Sequence, residues 1–207
     1  MAARETIQRV PVLLASASRA RAEMLRAAGL EITVAPVAVD EAALRRRLEG
    51  HEPASIALAL AEAKAAAACG AGRAREGAFV VAADQILVFE GRILDKRPDP
   101  AAAIALLKEL SGRSHALVTA TVLARDGAIC WRGVDRAELQ MRKLSDDFLA
   151  WYAAAAGDAL TACVGCYEIE GVGIQLMERI SGDIFTIRGL VLLPLLAALR
   201  RHGALAS

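Results

Sequence analysis

The chain has 207 residues, a net charge of +1 at pH 7 and a hydrophobic content of 56%. This length is enough to bury a core, either in one large domain or in two small lobes. Basic and acidic residues are interspersed, so the charge distribution does not favour a nucleic-acid-binding protein. No uncharged apolar run reaches the roughly 18 residues that a membrane span requires, so we expect no membrane association.

The N-terminus and the cysteines indicate a cytoplasmic protein. Arg4, Glu5 and Arg9 precede only a brief apolar stretch, which makes a poor signal peptide. Four cysteines, at positions 69, 130, 163 and 166, are too few and too scattered for a disulfide scaffold. The last two have CxxC spacing, but a structural zinc would need a second pair. We therefore interpret them as structural or incidental rather than as a metal or redox site.

The first predicted element is a short apolar strand that runs through two serines, Ser16 and Ser18, into a helix. Ser18 is a good N-cap, and the helix start would present unpaired N–H groups and the positive end of the helix dipole. Helical side chains tilt toward the N-terminus, so Arg21 should lean back over this spot. The pattern is typical of an anion site, although an ordinary strand-to-helix turn explains it equally well.

The next segments supply further charged candidates. Residues 32–39 predict a strand that leads to Asp40 and Glu41. We interpret the basic run at 45–47 as a solvated helix face rather than a ligand site. A proline near its start, many alanines and a glycine just past its end predict a helix over residues 53–69, which carries Lys64.

Asp84 is the position that we single out as chemical. The unbroken apolar run at 78–83 predicts a strand covered on both faces, with Asp84 and Gln85 at its end. A buried carboxylate is costly unless it has a partner or a task, although an aspartate capping a turn is the alternative. A predicted hairpin at residues 86–94 should bring Lys96 back toward Asp84.

The second half of the chain continues the alternation of helices and strands. His115 lies in a β-prone segment, and we interpret it as a structural, hydrogen-bonded histidine. The predicted elements are a helix after Asp99, strands at 114–123, 129–141 and 174–180, a helix capped by Ser145, and a final helix at 190–201. This alternation, without a linker, predicts one α/β domain over residues 1–207 with a central sheet.

Taken together, the candidates are an anion loop with Arg21, two carboxylates at Glu41 and Asp84, and two lysines at Lys64 and Lys96. Magnesium prefers carboxylate and phosphate oxygens, so this set suits a polyphosphate and a divalent metal. Cations would balance the charge on the leaving oxygens while water attacks phosphorus. The sequence contains no Walker motif and no persuasive Ser/His/Asp set.

These residues resemble the Maf family of nucleoside triphosphate pyrophosphatases over nearly the full length of the chain. The motifs that carry the resemblance are Leu14-Ala15-Ser16-Ala17-Ser18 with Arg21, Asp40-Glu41, Ala61-Glu62-Ala63-Lys64-Ala65, Ala83-Asp84-Gln85, Lys96, Ser111-Gly112-Arg113-Ser114-His115, residues 165–173, and Gly189-Leu190. Each motif is modest, but their order and spacing make a chance match improbable.

The resemblance implies an elongated α/β fold in which helices flank a mixed central sheet, with a cleft between two lobes. It implies relation to the inosine triphosphate pyrophosphatase architecture, and a homodimer. The implied hydrolase cleaves a nucleoside triphosphate to the monophosphate and pyrophosphate with Mg²⁺ or Mn²⁺. Asp84 matches the residue that accepts the proton of the attacking water, and Glu41 would be a second metal or water ligand. The positions that would line the triphosphate are Ser16, Ser18, Arg21, Lys64 and Lys96.

Three positions sort such proteins by base, here Ala20, Gln85 and Glu170. The dTTP and UTP type has Arg, Thr and Gln at them, whereas the 7-methyl-GTP type has Trp, Gln and Glu. This chain agrees with the second type at two positions and departs from it at Ala20, so we expect 7-methyl-GTP or another modified nucleotide as substrate. The alternatives are a dTTP/UTP-type enzyme and a non-catalytic module of the same fold that binds nucleotides or RNA.

Overall fold

The structure, a computed structural model, describes residues 7–206. Arg4 and Glu5, which entered the argument about the N-terminus, lie outside the described residues. Within residues 7–206, no helix is both long enough and apolar enough to cross a membrane.

The described residues form seven strands, eight α-helices and one short 3-10 helix. The strands are β1 (Val12–Leu14), β2 (Ile32–Val34), β3 (Phe79–Phe89), β4 (Arg92–Leu94), β5 (Ser114–Arg125), β6 (Ala128–Met141) and β7 (Met177–Ser181). The α-helices are α1 (Arg19–Ala27), α2 (Glu41–Arg47), α3 (Pro53–Gly70), α4 (Pro100–Leu110), α5 (Asp146–Ala156), α6 (Ala159–Ala162), α7 (Ile184–Ile187) and α8 (Leu192–Arg201). The 3-10 helix is Val172–Leu176.

The strands form one mixed sheet in the order β2-β1-β3-β5-β6-β7, with β4 paired to β3. Strand β1 is parallel to both of its neighbours, with Leu14 opposite Val34 on one side and Val81 on the other. Strands β3 and β4 are antiparallel, as are β6 and β7. The predicted α/β class, with a mixed central sheet flanked by helices, is confirmed.

The chain divides into two compact units. Among the described residues, the first unit comprises 7–85, 119–135 and 189–206, and the second comprises 86–118 and 136–188. Strands β3, β5 and β6 each contribute residues to both units, whereas each helix belongs to one of them. The prediction of a single domain over residues 1–207 stays a prediction.

The core of the first unit is built from β1, the first half of β3 and one face of α3. The stretch from Phe79 to Ala83 has no accessible surface, as expected for a strand covered on both faces. On α3, small side chains with no accessible surface follow the helical spacing: Ala57, Ala61, Ala65 and Ala68. Leu60 is also fully buried, and Lys64 follows one turn later. The ammonium of Lys64 is therefore carried by a helix that packing holds in place.

The core of the second unit gathers the apolar face of α4 and aromatic residues of the C-terminal half. Leu107 and Leu110 are fully buried on α4, three residues apart on one face of the helix. Tyr152 of α5 is fully buried, and its hydroxyl donates to the carbonyl of Cys166 at 3.0 Å. Because a buried tyrosine hydroxyl needs a partner, this hydrogen bond anchors the chain around Cys166 against α5.

Three predicted strand boundaries were wrong. Strand β3 does not end at Asp84 but continues to Phe89, because the residues that follow are β-prone and Leu87, Val88 and Phe89 pair with β4. Strand β2 stops at Val34, two residues before Pro36, which cannot donate to a sheet. The predicted strand at 174–180 begins as the 3-10 helix; an added Cβ on Gly173 would approach the carbonyl oxygen of Glu168 at 2.5 Å, so glycine permits this close turn.

Several helix predictions were confirmed in detail. Asp99 and Ser145 accept from backbone N–H groups in the first turns of α4 and α5, as predicted for N-caps. Pro194 falls in the first turn of α8, where a proline is tolerated. The basic run at 45–47 ends α2; Arg46 and Arg47 are exposed and Arg45 is half-buried, so the interpretation of the run as a solvated face stays a prediction.

Candidate active site

The loop between β1 and α1 is organised by its two serines. The Ser18 hydroxyl accepts from the backbone N–H of Arg21 at 3.3 Å, which confirms Ser18 as the N-cap of α1. The Ser16 hydroxyl accepts from the backbone N–H of Ser18 at 3.2 Å and is almost fully buried. The loop is therefore fixed from within, and α1 directs its N-terminal dipole toward this spot.

Arg21 leans back from the first turn of α1, as predicted. Its Nε donates to the carbonyl of Gly189 at 2.8 Å. Its Nη1 donates to the carbonyl of Ala83 at 2.9 Å and to the Ser16 hydroxyl at 3.2 Å. Three acceptors from three segments thus hold the guanidinium in one orientation, which prepares a cation for an anionic ligand without a large loss of side-chain freedom on binding.

The two carbonyls that hold Arg21 were missed in the sequence. A backbone carbonyl carries no signal in its residue type, so Ala83 offered none. Gly189 offered a weak signal, because a glycine can mark a special backbone position. Its φ is +97°, and an added Cβ would lie 3.1 Å from Arg21 Nε. A glycine is required there because the backbone is left-handed and the arginine comes close.

Lys64 joins the two candidate carboxylates. Its Nζ lies 2.6 Å from Oδ1 of Asp84 and 2.8 Å from Oε1 of Glu41. The side chains of Lys64 and Asp84 are 14% and 6% exposed, whereas that of Glu41 is 44% exposed. Because one ammonium contacts both acids, β3, α3 and the start of α2 place their predicted site residues together.

The second oxygen of Asp84 is without a hydrogen-bond partner in the part of the chain that the structure describes. Oδ2 is buried, and no hydrogen-bond partner for it lies among residues 7–206. A buried acceptor without a hydrogen bond is costly, so most such atoms in proteins are satisfied. This oxygen can therefore accept a hydrogen bond from a water or a substrate, or bind a metal ion.

Arg21 belongs to the same electrostatic cluster. Burial lowers the pKa of Arg21, while the negative charges of Asp84 and Glu41 raise it and oppose that effect. The guanidinium remains charged near neutral pH, since an arginine pKa starts far above 7. Two cations and two anions from four elements of the first unit are thus electrostatically coupled.

Two of the predicted specificity residues also lie in the first unit. Gln85 follows Asp84 in β3, and its Nε2 donates to the hydroxyl of Thr119 at 2.9 Å. Thr119 is fully buried, so this hydrogen bond helps to fix the orientation of the Gln85 amide. Ala20 is the second residue of α1 and lies between Ser18 and Arg21 in the sequence.

Lys96 and Glu170 lie in the second unit. Lys96 is exposed and follows β4, whose antiparallel pairing with β3 confirms the predicted hairpin. Glu170 follows the loop after α6, and its Oε1 accepts from Nε of Arg188 at 2.8 Å. The placement of these two residues at the substrate stays a prediction from the family resemblance.

The two carboxylates fit a divalent metal ion that shares its ligands with a substrate. No group of three or more His, Cys, Asp and Glu side chains that could hold a metal occurs within the described residues 7–206. Magnesium, however, keeps several waters and is commonly held by one or two carboxylates plus substrate phosphates. Glu41 and Asp84 share one cation already, and the partnerless Oδ2 of Asp84 supplies a free lone pair.

His115 has the properties of a structural histidine, in agreement with our interpretation. It is 2% exposed, and its Nε2 lies 2.6 Å from the hydroxyl of Tyr167. Burial lowers the pKa of His115 to about 4, so the ring is neutral at pH 7. The cysteines are free thiols, and burial raises the pKa of Cys166 to about 11, which leaves it protonated and unreactive at neutral pH.

Comparison with known proteins identifies the family. Residues 11–202 match the family model described as "Maf-like protein". A "Nucleoside triphosphate pyrophosphatase" of Granulibacter bethesdensis is 46% identical over 94% of this chain and 98% of that protein. A "7-methyl-GTP pyrophosphatase" of Mesorhizobium japonicum is 46% identical over 94% of this chain and 97% of that protein. A solved HAM1 protein from Coxiella burnetii is similar at a TM-score of 0.40 and 21% identity, over 64% of this chain and 73% of that one. The match over almost the whole chain, together with the two relatives at 46% identity, shows that the chain belongs to the Maf-like protein family.

Proposed function

We propose that this chain is a nucleoside triphosphate pyrophosphatase, a hydrolase that converts a nucleoside triphosphate to the monophosphate and pyrophosphate. The observation that carries the proposal is the state of Asp84. This carboxylate is nearly buried, one oxygen is held by Lys64, and the other has no partner among residues 7–206. The names of two relatives with 46% identity, a nucleoside triphosphate pyrophosphatase and a 7-methyl-GTP pyrophosphatase, support the same reaction.

In the proposed reaction, Asp84 acts as general base. Water attacks phosphorus at the bond between the α and β phosphates, its proton passes to Oδ2 of Asp84, and pyrophosphate leaves. Lys64 holds Oδ1 at 2.6 Å, which fixes the orientation of the carboxylate and leaves Oδ2 as the acceptor. A positioned base of this kind typically contributes about 10²- to 10⁴-fold to the rate.

The anion loop and the cations are proposed to bind the triphosphate. Ser16 and Ser18 bring the backbone of the loop and the N-terminus of α1 toward the phosphates, and Arg21 is held ready beside them. Lys64 would balance negative charge that develops on the leaving group. Lys96 is retained as a further phosphate contact on the strength of the family resemblance.

Glu41 and Asp84 would hold Mg²⁺ or Mn²⁺. When bound, such an ion neutralises phosphate charge and favours attack by water. Both side chains already contact the ammonium of Lys64, so the first unit presents the acids side by side. We also propose, from the resemblance, that the protein is cytoplasmic and acts as a homodimer without nucleic acid as a partner.

For the base, we propose 7-methyl-GTP or another modified nucleotide. Gln85 and Glu170 agree with that type, and a relative at 46% identity carries the name 7-methyl-GTP pyrophosphatase. A glutamate can accept from the N1–H and the exocyclic amine of guanine. The dTTP/UTP-type enzyme remains the second candidate, because other similar relatives carry only the general name.

A panel of triphosphates tests the proposal. We expect pyrophosphate release with Mg²⁺ or Mn²⁺ to be fastest for 7-methyl-GTP or another guanine-type nucleotide among 7-methyl-GTP, GTP, dTTP, UTP, CTP and ITP. A preference for dTTP and UTP would select the second candidate. Binding of nucleotides without release of pyrophosphate from any of them would instead select a non-catalytic nucleotide-binding module.

A further inference from the structure

Arg188 and Glu170 form a partly buried ion pair in the second unit. Arg188 caps the C-terminus of α7, and Glu170 comes from the segment before the 3-10 helix. Arg188 Nε donates to Glu170 Oε1 at 2.8 Å, and the two side chains are only 20% and 31% exposed. The carboxylate proposed to recognise the base is therefore held and neutralised by a cation of the protein itself.

This pairing separates two properties of Glu170. A carboxylate offers about four lone-pair sites, so a contact to one oxygen leaves acceptor capacity for N–H groups of a ligand. The net charge of the pair, in contrast, is zero, and the attraction between the carboxylate and a distant positive charge is largely cancelled. Arg188 thus preserves hydrogen bonding by Glu170 while it weakens attraction to a cationic base.

Ala20 acts in the same direction by its chemical nature. A methyl side chain has no aromatic face and cannot bind a cation through a π system. A 7-methylguanine base carries a positive charge, whereas guanine does not, and both present the same N1–H and exocyclic amine. Neither Glu170, when it is paired with Arg188, nor Ala20 therefore attracts strongly the positive charge that distinguishes 7-methylguanine from guanine.

Building on the proposed function, we infer that Arg188 is a positioning residue that fixes Glu170 and cancels its charge, so that the chain accepts guanine nucleotides with and without the 7-methyl group. Base choice then follows the pattern of hydrogen-bond donors rather than the charge of the base. The substrate class is correspondingly broader: nucleotides with a guanine-type donor edge.

The test is the ratio of kcat/KM for 7-methyl-GTP to that for GTP. For the wild-type chain we expect the two values to lie within about tenfold of each other. Arg188→Met exposes the full charge of Glu170 and should raise the ratio about fivefold, the size expected for a partly screened charge interaction. Arg188→Lys restores a cation and should return the ratio toward the wild-type value.

Arg136→Met provides a matched control. Arg136 also donates from Nε to a glutamate, Glu138 Oε1 at 2.9 Å, and it lies in the same unit on β6. Its removal should leave the ratio unchanged. If Arg188→Met lowered both substrates equally, for example by disturbing the neighbouring Gly189, Arg188 would have a structural role and the inference would be overturned.

Binding of the products separates this inference from the proposed reaction. Calorimetry with 7-methyl-GMP and GMP measures the same preference without turnover, in the wild-type chain and in Arg188→Met. If Arg188→Met prefers 7-methyl-GMP over GMP more strongly than the wild-type chain does, the inference is supported. This holds even if no triphosphate is cleaved, and in that case only the proposed function fails. Hydrolysis confined to pyrimidine triphosphates would retain the proposed function and overturn the inference.

Discussion

At the scale of single residues, the chemistry depends on how one carboxylate is satisfied. Asp84 lies in the middle of a buried strand, where an isolated charge would be costly, and Lys64 compensates it on one side only. Because most buried polar atoms in proteins are hydrogen-bonded, the partnerless Oδ2 among residues 7–206 calls for an explanation, and a catalytic role is one. The same carboxylate in a protein that only bound polyphosphate would weaken binding through repulsion.

Asp84→Asn tests this role. The amide cannot accept the proton of water as a base, so kcat should fall at least about 100-fold. Without divalent metal, which Asp84 is also proposed to hold, binding of a non-hydrolysable triphosphate should be retained or improved, because a negative charge near the phosphates is removed. Steady-state kinetics and calorimetry measure the two effects.

Asp126→Asn is the control for Asp84→Asn. Asp126 occupies the turn between β5 and β6, and its Oδ1 accepts from the backbone N–H of Gly77, which an asparagine can also do. Its substitution should leave kcat unchanged. If Asp84→Asn lost binding and activity together, Asp84 would have a structural role instead.

At the scale of elements, the segment that links α7 to α8 supports the first turn of α1. Gly189 presents its carbonyl to Arg21 Nε, and the N–H of Val191 donates to the buried hydroxyl of Thr121 at 3.1 Å. The carbonyl of a short connection therefore helps to set the direction of Arg21, the proposed phosphate contact. The sequence of this connection, Arg188 to Val191, contains one glycine between an arginine and two apolar residues.

Gly189→Ala tests this support. The new Cβ would lie 3.1 Å from Arg21 Nε, and the backbone at φ +97° is strained for alanine. We expect kcat/KM to fall about tenfold or more as Arg21 is displaced, since a charge-assisted contact is worth roughly 1.5–3 kcal/mol. Gly203→Ala is the matched control: its φ is +75°, but nothing lies within 4 Å of the new Cβ. It should lose some stability and keep its activity, and equal losses of activity in both variants would refute a specific effect on Arg21.

The contact between β5 and the segment that carries Tyr167 makes stability depend on pH. Burial lowers the pKa of His115 to about 4 in the folded chain, whereas an unfolded histidine titrates near 6.5. Between these pH values the unfolded state therefore binds more protons than the folded state. The stabilisation that neutral His115 contributes to folding is complete above about pH 6.5 and is lost as the pH falls toward 4. At pH 5 the loss amounts to about 2 kcal/mol.

His115→Gln removes this titration and keeps a side chain able to reach Tyr167. Urea unfolding at pH 7.5 and at pH 5 should show a larger fall in the free energy of unfolding for the wild-type chain than for the variant. Equal falls in both proteins would mean that His115 is protonated without cost in the folded state.

At the scale of the whole molecule, the contacts that join predicted site residues lie in the first unit. Both acids, Glu41 and Asp84, belong to the first unit. Of the four elements that carry the charged cluster, three are helices. Lys96 and Glu170 belong to the second unit. With a net charge of only +1, the chain as a whole does not attract polyanions strongly. Substrate attraction must therefore come from the local cations and from the proposed metal ion.

Removal of divalent metal tests the proposed cofactor. EDTA should abolish pyrophosphate release, and Mg²⁺ or Mn²⁺ should restore it. Glu41→Gln should raise the metal concentration for half-maximal activity about tenfold, the effect of one lost charge-assisted contact. Glu109→Gln, which removes a surface partner of Arg92, should have no such effect. Full activity after chelation would contradict a metal-dependent mechanism.

Much of the architecture followed from local patterns. Caps such as Ser18, Asp99 and Ser145 mark helix starts because their side chains satisfy N–H groups within three residues, and the hairpin at Glu90 and Gly91 is equally local. The strand ends were harder, because Asp84 looked like a boundary until Lys64 supplied its partner from another element. The β-propensity of single residues does not show that a charge within a strand is compensated by a residue of another element.

The sequence by itself determined which residues could carry the chemistry, because charge, hydroxyl groups and conformational freedom belong to individual side chains. Only the tertiary structure decided how they are combined: that Lys64 bridges Asp84 and Glu41, and that backbone carbonyls of Ala83 and Gly189 hold Arg21. These contacts join residues far apart in the chain, and half of the acceptors are backbone atoms that every residue possesses. No pattern of residue types can therefore encode them before the strands and helices have packed.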